Sequence, residues 1–131
     1  METQVADFIA HYIGVPNVGD TAGNKGQCVG LIEMWTDQHK LPHIWGNAVD
    51  LMRYADPKVY TIVENSPDNF PPIGSIVCWD ASWGGGDGHT AVVVAASVNT
   101  LIVFEQNNPE NAPPLLGVHG YGGVQGWIVL P

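Results

Sequence analysis

The feature that most constrains the fold is a change of hydrophobic period between the two halves of the chain. Apolar residues first recur at the spacing of amphipathic helices, and later runs alternate or are rich in β-branched residues. Helical patterns cover residues 5–13, 27–39 and 47–54, and strand patterns cover residues 59–63, 75–79, 89–98, 101–105 and 126–130. Helices followed by strands predict an α+β fold, with N-terminal helices packed on an antiparallel β-sheet.

Length and composition indicate one ordered domain. The chain has 131 residues, enough to bury a core of its own and too few for two ordinary domains. Hydrophobic residues make up 45% of it and include five tryptophans, a composition that disordered chains lack. We therefore expect residues 1–131 to form a single domain.

The charge balance excludes one class of partner. Four basic residues against thirteen acidic ones give a formal charge of −9. Nucleic-acid binding needs clusters of Lys and Arg that pair with phosphates, and the sequence has none. The same balance opposes unaided attraction to an anionic membrane or cell wall. The acidic surface predicts solubility rather than a specific cationic partner.

No stretch of the sequence has the length and hydropathy of a membrane span. The first residues, Met1–Gln4, lack the basic flank and the apolar segment of a signal peptide. We expect a chain made in the cytoplasm without a signal peptide, or a domain excised from a larger protein.

The stretch Gly26–Leu31 carries the residue best suited to chemistry, because a glycine-bounded turn delivers Cys28 to the start of a helix. Unpaired backbone N–H groups and the positive end of the helix dipole favour a thiolate over a thiol at such a position. The alternative is that Cys28 is a small buried apolar residue, as free cysteines often are. Along the helix that follows, Glu33 and Asp37 are expected on a solvated face.

The chain has two cysteines, Cys28 and Cys78. Neither belongs to a CxxC pair, so the sequence predicts no structural zinc site. A disulfide between them is an open alternative, and it would abolish the thiolate. Cys78 lies within a strand pattern, where a buried structural thiol is the ordinary expectation.

Two further stretches supply the partners that a cysteine nucleophile needs. His89 opens a strand pattern after a glycine-rich loop that leaves room for a substrate, and Glu105 ends the next strand pattern. If that strand persists to Asn107, the side chains of Glu105 and Asn107 share one face and can orient the imidazole of His89. The set predicts a cysteine hydrolase with Cys28 as nucleophile and His89 as base. The backbone N–H of Cys28 is the expected oxyanion donor, and the side chain of Gln27 is a weaker candidate.

Other side chains are candidates for contact with a substrate. The tryptophans, Trp83 among them, suit stacking as well as core packing. His119 and Tyr121 lie in the segment 108–125, whose prolines and glycines predict a loop that lines a groove and oppose an interior strand. We expect Trp83, His119 and Tyr121 to contact substrate.

Metal binding has little support in the sequence. Asp20 and Asn24 offer two oxygen ligands before Cys28, and calcium there is an alternative to a plain loop. His39 and His43 lie near each other without a third ligand in view, which favours a surface position. We expect no cofactor and no metal.

Several motifs together resemble the CHAP domain family, whose name stands for cysteine, histidine-dependent amidohydrolase/peptidase. Their order and spacing agree over almost the whole chain. The motifs are Gly26–Leu31, Trp45–Ala48, Pro72–Trp79, Gly88–Val93, Glu105–Asn107 and Gly126–Ile128. The resemblance implies a papain-like fold and hydrolysis of an amide bond in bacterial peptidoglycan, as in phage endolysins, tail-associated lysins and bacterial autolysins. It also implies a protein that reaches the cell wall after lysis or on a phage particle.

Carried over by position, the resemblance implies that Cys28 is the nucleophile, His89 the base, and Glu105 with Asn107 the orienting residues. The chain departs from the family at Gly30, where many relatives carry Asp. It also departs in the loop before the cysteine, where some members hold calcium with several aspartates. It contains no cell-wall binding module, so we expect targeting to come from a partner or from other parts of a larger protein.

Two rival interpretations stay open. NlpC-type cell-wall peptidases also place a cysteine at a helix start, but their third polar residue is usually a histidine, and here Glu105–Asn107 occupies that place. A non-catalytic glycan- or peptide-binding module on the same fold would leave the thiol unused. The presence of Cys28, His89 and Glu105 together favours catalysis, by an N-acetylmuramoyl-L-alanine amidase or an endopeptidase.

Overall fold

Three α-helices precede the sheet in the computed structural model, which describes all 131 residues. They are α1 (Glu2–Tyr12), α2 (Cys28–Gln38) and α3 (Leu51–Tyr54), with 3-10 turns at Ala22–Asn24, Ala48–Asp50 and Gly84–Gly86. The first two predicted helices are confirmed, and the third is divided into a 3-10 turn and α3. None of the helices combines the length and the apolar character needed to cross a membrane.

The strands form a single antiparallel sheet. They are β1 (Thr61–Glu64), β2 (Ile76–Trp79), β3 (His89–Ala96), β4 (Leu101–Glu105), β5 (Leu115–His119) and β6 (Val124–Val129). The sheet has six strands in the order β1-β6-β2-β3-β4-β5, and each neighbouring pair is antiparallel. The predicted α+β fold, with helices on an antiparallel sheet, is confirmed.

Strand β5 corrects the expectation that the whole segment 108–125 is a loop. It lies at the edge of the sheet and pairs only with β4, so its outer side needs no ladder hydrogen bonds. Pro113 and Pro114 come just before it, where they interrupt no pairing. The prolines therefore excluded an interior strand, as expected, but not an edge strand.

Both faces of the central strands are covered, which explains their nearly continuous apolar runs. On one face, Ile76, Val92 and Phe104 belong to the same core as Phe8 of α1 and Trp35 of α2. On the other face, the loops before β3 and β6 cover a second core. Its buried members are Val77, Trp79, Ala91, Val93, Leu101, Val103, Val124 and Trp127.

Trp35 fixes α2 across the sheet. Its indole N–H donates to the carbonyl oxygen of Gly74 over 3.0 Å, and its ring lies 4.9 Å from the ring of Phe8. Helix α2 packs directly on β3. This packing brings the first residue of the helix, Cys28, near the first residue of the strand, His89, where it raises the pKa of the imidazole.

Both cysteines are free thiols, so the alternative of a Cys28–Cys78 disulfide is not realised. Cys78 is wholly buried in the core, and burial raises the pKa of its thiol to about 12. Cys78 is thus the structural thiol that its strand pattern predicts. Cys28 is only half-buried, and its sulfur is not part of a disulfide.

Candidate active site

The loop before α2 delivers Cys28 to the helix start. Gly26 adopts a φ of +83°, which favours glycine, and its N–H donates to the carbonyl oxygen of Val18 over 3.0 Å. Gly30 follows in the first turn of the helix, packed against the same loop. A Cβ there would lie 2.6 Å from the oxygen of Val18 and would overlap the carbonyl of Asn24. The close packing therefore favours glycine at this position.

His89 lies between the other two candidate catalytic residues. Its Nε2 is 2.7 Å from Oε1 of Glu105, which leaves Nδ1 as the ring nitrogen that can face Cys28. Burial lowers the pKa of His89, but its interactions with Cys28 and Glu105 outweigh this effect and raise the pKa to about 9. The arrangement favours an imidazolium that can pair with a thiolate.

Glu105 is a buried carboxylate with several donors. It is 4% exposed, and it accepts from Nε2 of His89, from Nε2 of His119 at 2.9 Å and from the amide of Asn108 at 3.2 Å. Burial raises the pKa of Glu105, but the hydrogen bonds from His89, His119 and Asn108 outweigh it and hold the pKa below its usual value. The charged form of Glu105 is therefore the one that the site stabilises.

Asn107 does not orient His89, contrary to the expectation. Strand β4 ends at Glu105 and Asn107 has a φ of +65°, so the two side chains do not share a strand face. The amide of Asn107 instead donates to Oε1 of Gln27 over 3.1 Å. This contact lies beside the nucleophile, on the residue that precedes it.

Gln106 is a residue that the sequence analysis missed. It is 1% exposed, and its amide donates to the carbonyl oxygens of Val18 at 2.9 Å and Gln27 at 2.7 Å. Its Oε1 accepts from the N–H of Val18 over 3.0 Å. Gln106 thereby ties the end of β4 to both ends of the loop that delivers Cys28. The one available signal was its place between two predicted site residues.

An open cleft of about 270 Å³ lies at the N-terminal end of α2. The lining residues come from the loop before α2, from the helix start, from the turn before α3 and from the loop before β3. They are Gly23, Asn24, Gln27, Cys28, Val29, Asn47, Ala48 and Asp87. The cleft gives a substrate access to the thiol, and Asn47 and Asp87 are lining residues that the sequence analysis did not select.

The three side chains expected to contact substrate are held by the protein and do not line this cleft. Trp83 stacks on His89 with ring centroids 5.9 Å apart and 13° between the planes. His119 binds Glu105, and the hydroxyl of Tyr121 donates to the carbonyl oxygen of Ser97 over 2.6 Å. Trp83 and His119 therefore contact the predicted catalytic residues His89 and Glu105, whereas Tyr121 holds its loop against Ser97.

The two expected calcium ligands point to different partners. The amide of Asn24 donates to Oε2 of Glu33 over 3.3 Å, whereas a carboxylate oxygen of Asp20 lies 3.5 Å from Nε2 of His43. The potential ligand atoms of Asp20, Asp37 and His43 do lie within 4.8 Å of one another. However, His43 and Asp37 already bind each other over 2.7 Å. Two exposed carboxylates and an imidazole do not fit the oxygen-rich coordination that calcium requires.

Glu33 organises the loop before α2. It is 4% exposed and not on a solvated face as expected. Its carboxylate accepts from the backbone N–H groups of Asp20 and Thr21, both at 3.2 Å, from the Thr21 hydroxyl at 2.6 Å and from Asn24. Glu33 thus gathers the hydrogen-bond donors of residues 20–24 at one carboxylate.

Comparisons with known proteins identify a matching family model and several similar folds. The family model described as the CHAP domain matches residues 18–107, which include Cys28, His89 and Glu105. The fold is similar to that of the wild-type endolysin LysIME-EF1, with a TM-score of 0.77 and 21% identity over 99% of this chain and 64% of that one.

Two further solved structures have a similar fold. Ly7917, solved with the hydrolyzing product of MDP, gives a TM-score of 0.73 and 17% identity over 100% of this chain and 63% of that one. PlyC gives a TM-score of 0.72 and 20% sequence identity, and the match covers 98% of this chain and 35% of PlyC. At these identities the likeness shows the fold. The chain spans between 35% and 64% of the length of these proteins.

Proposed function

Since this chain belongs to the CHAP domain family, whose members are peptidoglycan hydrolases, we propose that it cleaves an amide bond of the bacterial cell wall by cysteine catalysis. The observation that carries the proposal is the placement of His89. This buried imidazole has its Nε2 2.7 Å from Oε1 of Glu105, and it lies close enough to Cys28 for the thiol to raise its pKa. A thiol, a base and an acceptor that orients the base are the parts that amide hydrolysis by cysteine requires.

The reaction begins with a proton held by His89 and a thiolate on Cys28. The sulfur attacks the carbonyl carbon of the amide, and the carbonyl oxygen becomes an oxyanion. The backbone N–H of Cys28 and the side-chain amide of Gln27 are the proposed donors to this oxyanion. His89 then gives its proton to the leaving amine, the C–N bond breaks, and a thioester to Cys28 remains. A water molecule that gives a proton to His89 attacks the thioester and releases the acid product.

Glu105 sets the tautomer of the base. Because its carboxylate accepts from Nε2 of His89, a neutral His89 carries its proton on Nε2 and leaves Nδ1 to exchange a proton with Cys28. The carboxylate also stabilises the imidazolium that forms when the thiol ionises. Loss of Glu105 would therefore affect both the orientation and the charge of the base.

The proposal covers both an N-acetylmuramoyl-L-alanine amidase and an endopeptidase that cuts stem or cross-bridge peptides. Both reactions break an amide at an open cleft, and the lining residues Asn47 and Asp87 offer polar contacts to either substrate. Mass spectrometry of the fragments released from purified peptidoglycan distinguishes them, because only the amidase frees intact stem peptides from the glycan.

Recruitment to the cell wall is also part of the proposal. The chain carries a net charge of −9 and spans 64% of the similar endolysin, so we propose that another module or a partner brings the domain to its substrate. The endolysin-like fold supports a protein made in the cytoplasm and released by lysis or carried on a phage particle.

The test is the loss of turbidity of purified peptidoglycan on addition of wild type, Cys28→Ala or Cys78→Ala. We expect clearing by wild type and by Cys78→Ala, which is the matched control for removal of a thiol, and none by Cys28→Ala. Clearing by Cys28→Ala would contradict the cysteine mechanism. Binding of all three proteins to the wall without clearing would instead support the non-catalytic module.

A further inference from the structure

Glu105 lies between two imidazoles, and the proposed reaction uses only one of them. His89 contacts Oε1 at 2.7 Å, whereas Nε2 of His119 lies 2.9 Å from Oε2 and 3.1 Å from Oε1. The second histidine therefore spans both oxygens of the carboxylate. His89 and the Asn108 amide both contact Oε1, so without His119 the Oε2 oxygen would have no donor and the carboxylate could rotate. A donor shared between the two oxygens removes that freedom.

The fold places His119 on Glu105 by several independent features. Strand β5 pairs with β4 so that Gly117 faces the carboxylate, and any Cβ at Gly117 would overlap it. The rings of Trp79 and Trp83 meet the ring of His119 nearly edge-on, at centroid distances of 5.4 and 5.3 Å. The imidazole is thus held by aromatic packing, and the missing side chain at position 117 opens the path between the two groups.

The two contacts have a joint consequence for protonation. Both histidines present Nε2 to an acceptor that has no proton of its own in the charged form, so each must carry a proton on that nitrogen. For His89 this leaves Nδ1 for Cys28. A carboxylate held in one plane by His119 therefore keeps the base in the tautomer and the direction that the thiol needs.

We propose that His119 is a positioning residue, whose Nε2–H fixes the Glu105 carboxylate and through it directs His89 toward Cys28. The inference rests on the proposed function and deepens it. His119 touches neither the cleft nor the sulfur, so it acts through Glu105. Two other roles compete with this one: a purely structural role in aromatic packing, and the substrate contact that the sequence predicts.

The first test compares His119→Gln with His119→Met. The Gln side chain keeps an N–H donor near the position of Nε2 but does not titrate, whereas Met keeps bulk and offers no donor. Tyr121→Phe is the control, because it removes a hydrogen bond of the neighbouring loop that does not reach Glu105.

With soluble peptidoglycan fragments, we expect His119→Met to lower kcat about tenfold with little change in KM. We expect His119→Gln and Tyr121→Phe to stay within about threefold of wild type. A rise in KM with kcat unchanged in both His119 variants would overturn the proposal in favour of substrate contact. Equal losses in Gln and Met would overturn it in favour of packing.

The second test reads the thiol directly and does not depend on hydrolysis. The rate of alkylation of Cys28 by iodoacetamide is followed against pH, and buried Cys78 stays silent because the pKa of its thiol is about 12. Besides His119, the titratable groups that face this system are His89, Glu105 and Asp87, which lines the cleft. We expect the midpoint of the profile to rise by about half a unit or more in His119→Met and to be unchanged in His119→Gln.

Identical alkylation profiles in wild type and His119→Met would overturn the positioning role. If His119→Met fails to fold, the tautomers of the wild-type protein decide the matter by ¹⁵N NMR of the histidine rings. We expect a proton on Nε2 of both His89 and His119, and a proton on Nδ1 alone in His119 would overturn the proposal. If the protein clears no peptidoglycan, the proposed function fails, while the alkylation and NMR outcomes still decide the role of His119.

Discussion

Asn107 donates its side-chain amide to Oε1 of Gln27 over 3.1 Å, and this contact joins the end of β4 to the residue before the nucleophile. Its own Oδ1 accepts from the backbone N–H of Asn111 over 2.6 Å, so both ends of the Asn107 amide are held. Because Oε1 of Gln27 is occupied, Nε2 is the end left to donate beside Cys28. The contact fits a role for Asn107 in aiming an oxyanion donor.

We therefore predict that Asn107→Asp lowers kcat by about tenfold to a hundredfold with a small effect on KM. The new carboxylate would repel Oε1 of Gln27. The Gln27 amide would then rotate so that its NH₂ group faces the carboxylate and no longer points into the cleft. The measurement is steady-state hydrolysis of soluble peptidoglycan fragments. In a Gln27→Ala background the same substitution should add little, and fully additive losses would contradict the coupling.

The pKa of His89 predicts a loss of stability in alkali. A group whose pKa is raised on folding stabilises the fold fully below its unfolded value, 6.5, and loses that contribution as pH rises through about 9. We expect the free energy of unfolding to fall on the order of 1–3 kcal/mol from neutral pH to above the pKa of His89. Urea denaturation in reducing buffer measures it.

The matched protein for this prediction is His89→Gln, which cannot titrate. Its free energy of unfolding should vary less with pH over the same interval, because the coupled imidazole is gone. Subtracting its profile from that of wild type removes the contribution of the tyrosines. A difference profile that is flat, or that rises with pH, would show that His89 is not held in its charged form.

The sequence predicted the parts of the site that depend on where regular elements begin and end. Cys28 at a helix start, His89 at a strand start and Glu105 at a strand end each follow from a local pattern within about ten residues. The pairing of these elements then follows from the antiparallel order of the strands. That order brings His89 and Glu105 together, whereas the approach of Cys28 depends on the packing of α2 on β3.

The positions of the other site residues depend on contacts between distant segments, which no local pattern encodes. Asn107 was misplaced because β4 stops two residues earlier and the backbone there turns to positive φ. His119 was taken for a loop residue because an edge strand preceded by prolines has a weak strand pattern. Glu33 was expected in solvent because its helical position does not reveal that the loop before α2 folds back over it.

Glu33 predicts how the protein responds to metal removal. Its buried carboxylate takes donors from Asp20, Thr21 and Asn24, so we expect the order of this loop not to depend on a cation. We predict that EDTA leaves the Tm unchanged. We also predict that Glu33→Gln lowers the free energy of unfolding by about 2–3 kcal/mol, because the NH₂ group of the new glutamine would face hydrogen-bond donors that need an acceptor. Differential scanning calorimetry measures both effects.

Asp37→Asn is the control for Glu33→Gln, since it removes an exposed carboxylate on the same helix that pairs with His43. Exposed ion pairs contribute little, and we expect a change of about 1 kcal/mol or less. A Tm that rises by several degrees on addition of calcium would contradict the prediction and would point to Asp20, Asp37 and His43 as ligands.

Gly30 predicts a reversal of the usual effect of alanine in a helix. At an ordinary helical position Gly→Ala stabilises by about 1 kcal/mol, but a Cβ at Gly30 would collide with the carbonyl groups of Val18 and Asn24. We expect Gly30→Ala to lower the free energy of unfolding by about 1–3 kcal/mol and to slow alkylation of Cys28, because the loop must move away from the helix start.

The matched control is Gly23→Ala, where a Cβ would meet nothing within 4 Å and where we expect a change in the free energy of unfolding within about 0.5 kcal/mol. Equal stability of the two variants would show that the loop yields without cost, and that the close packing at Gly30 does not position Cys28.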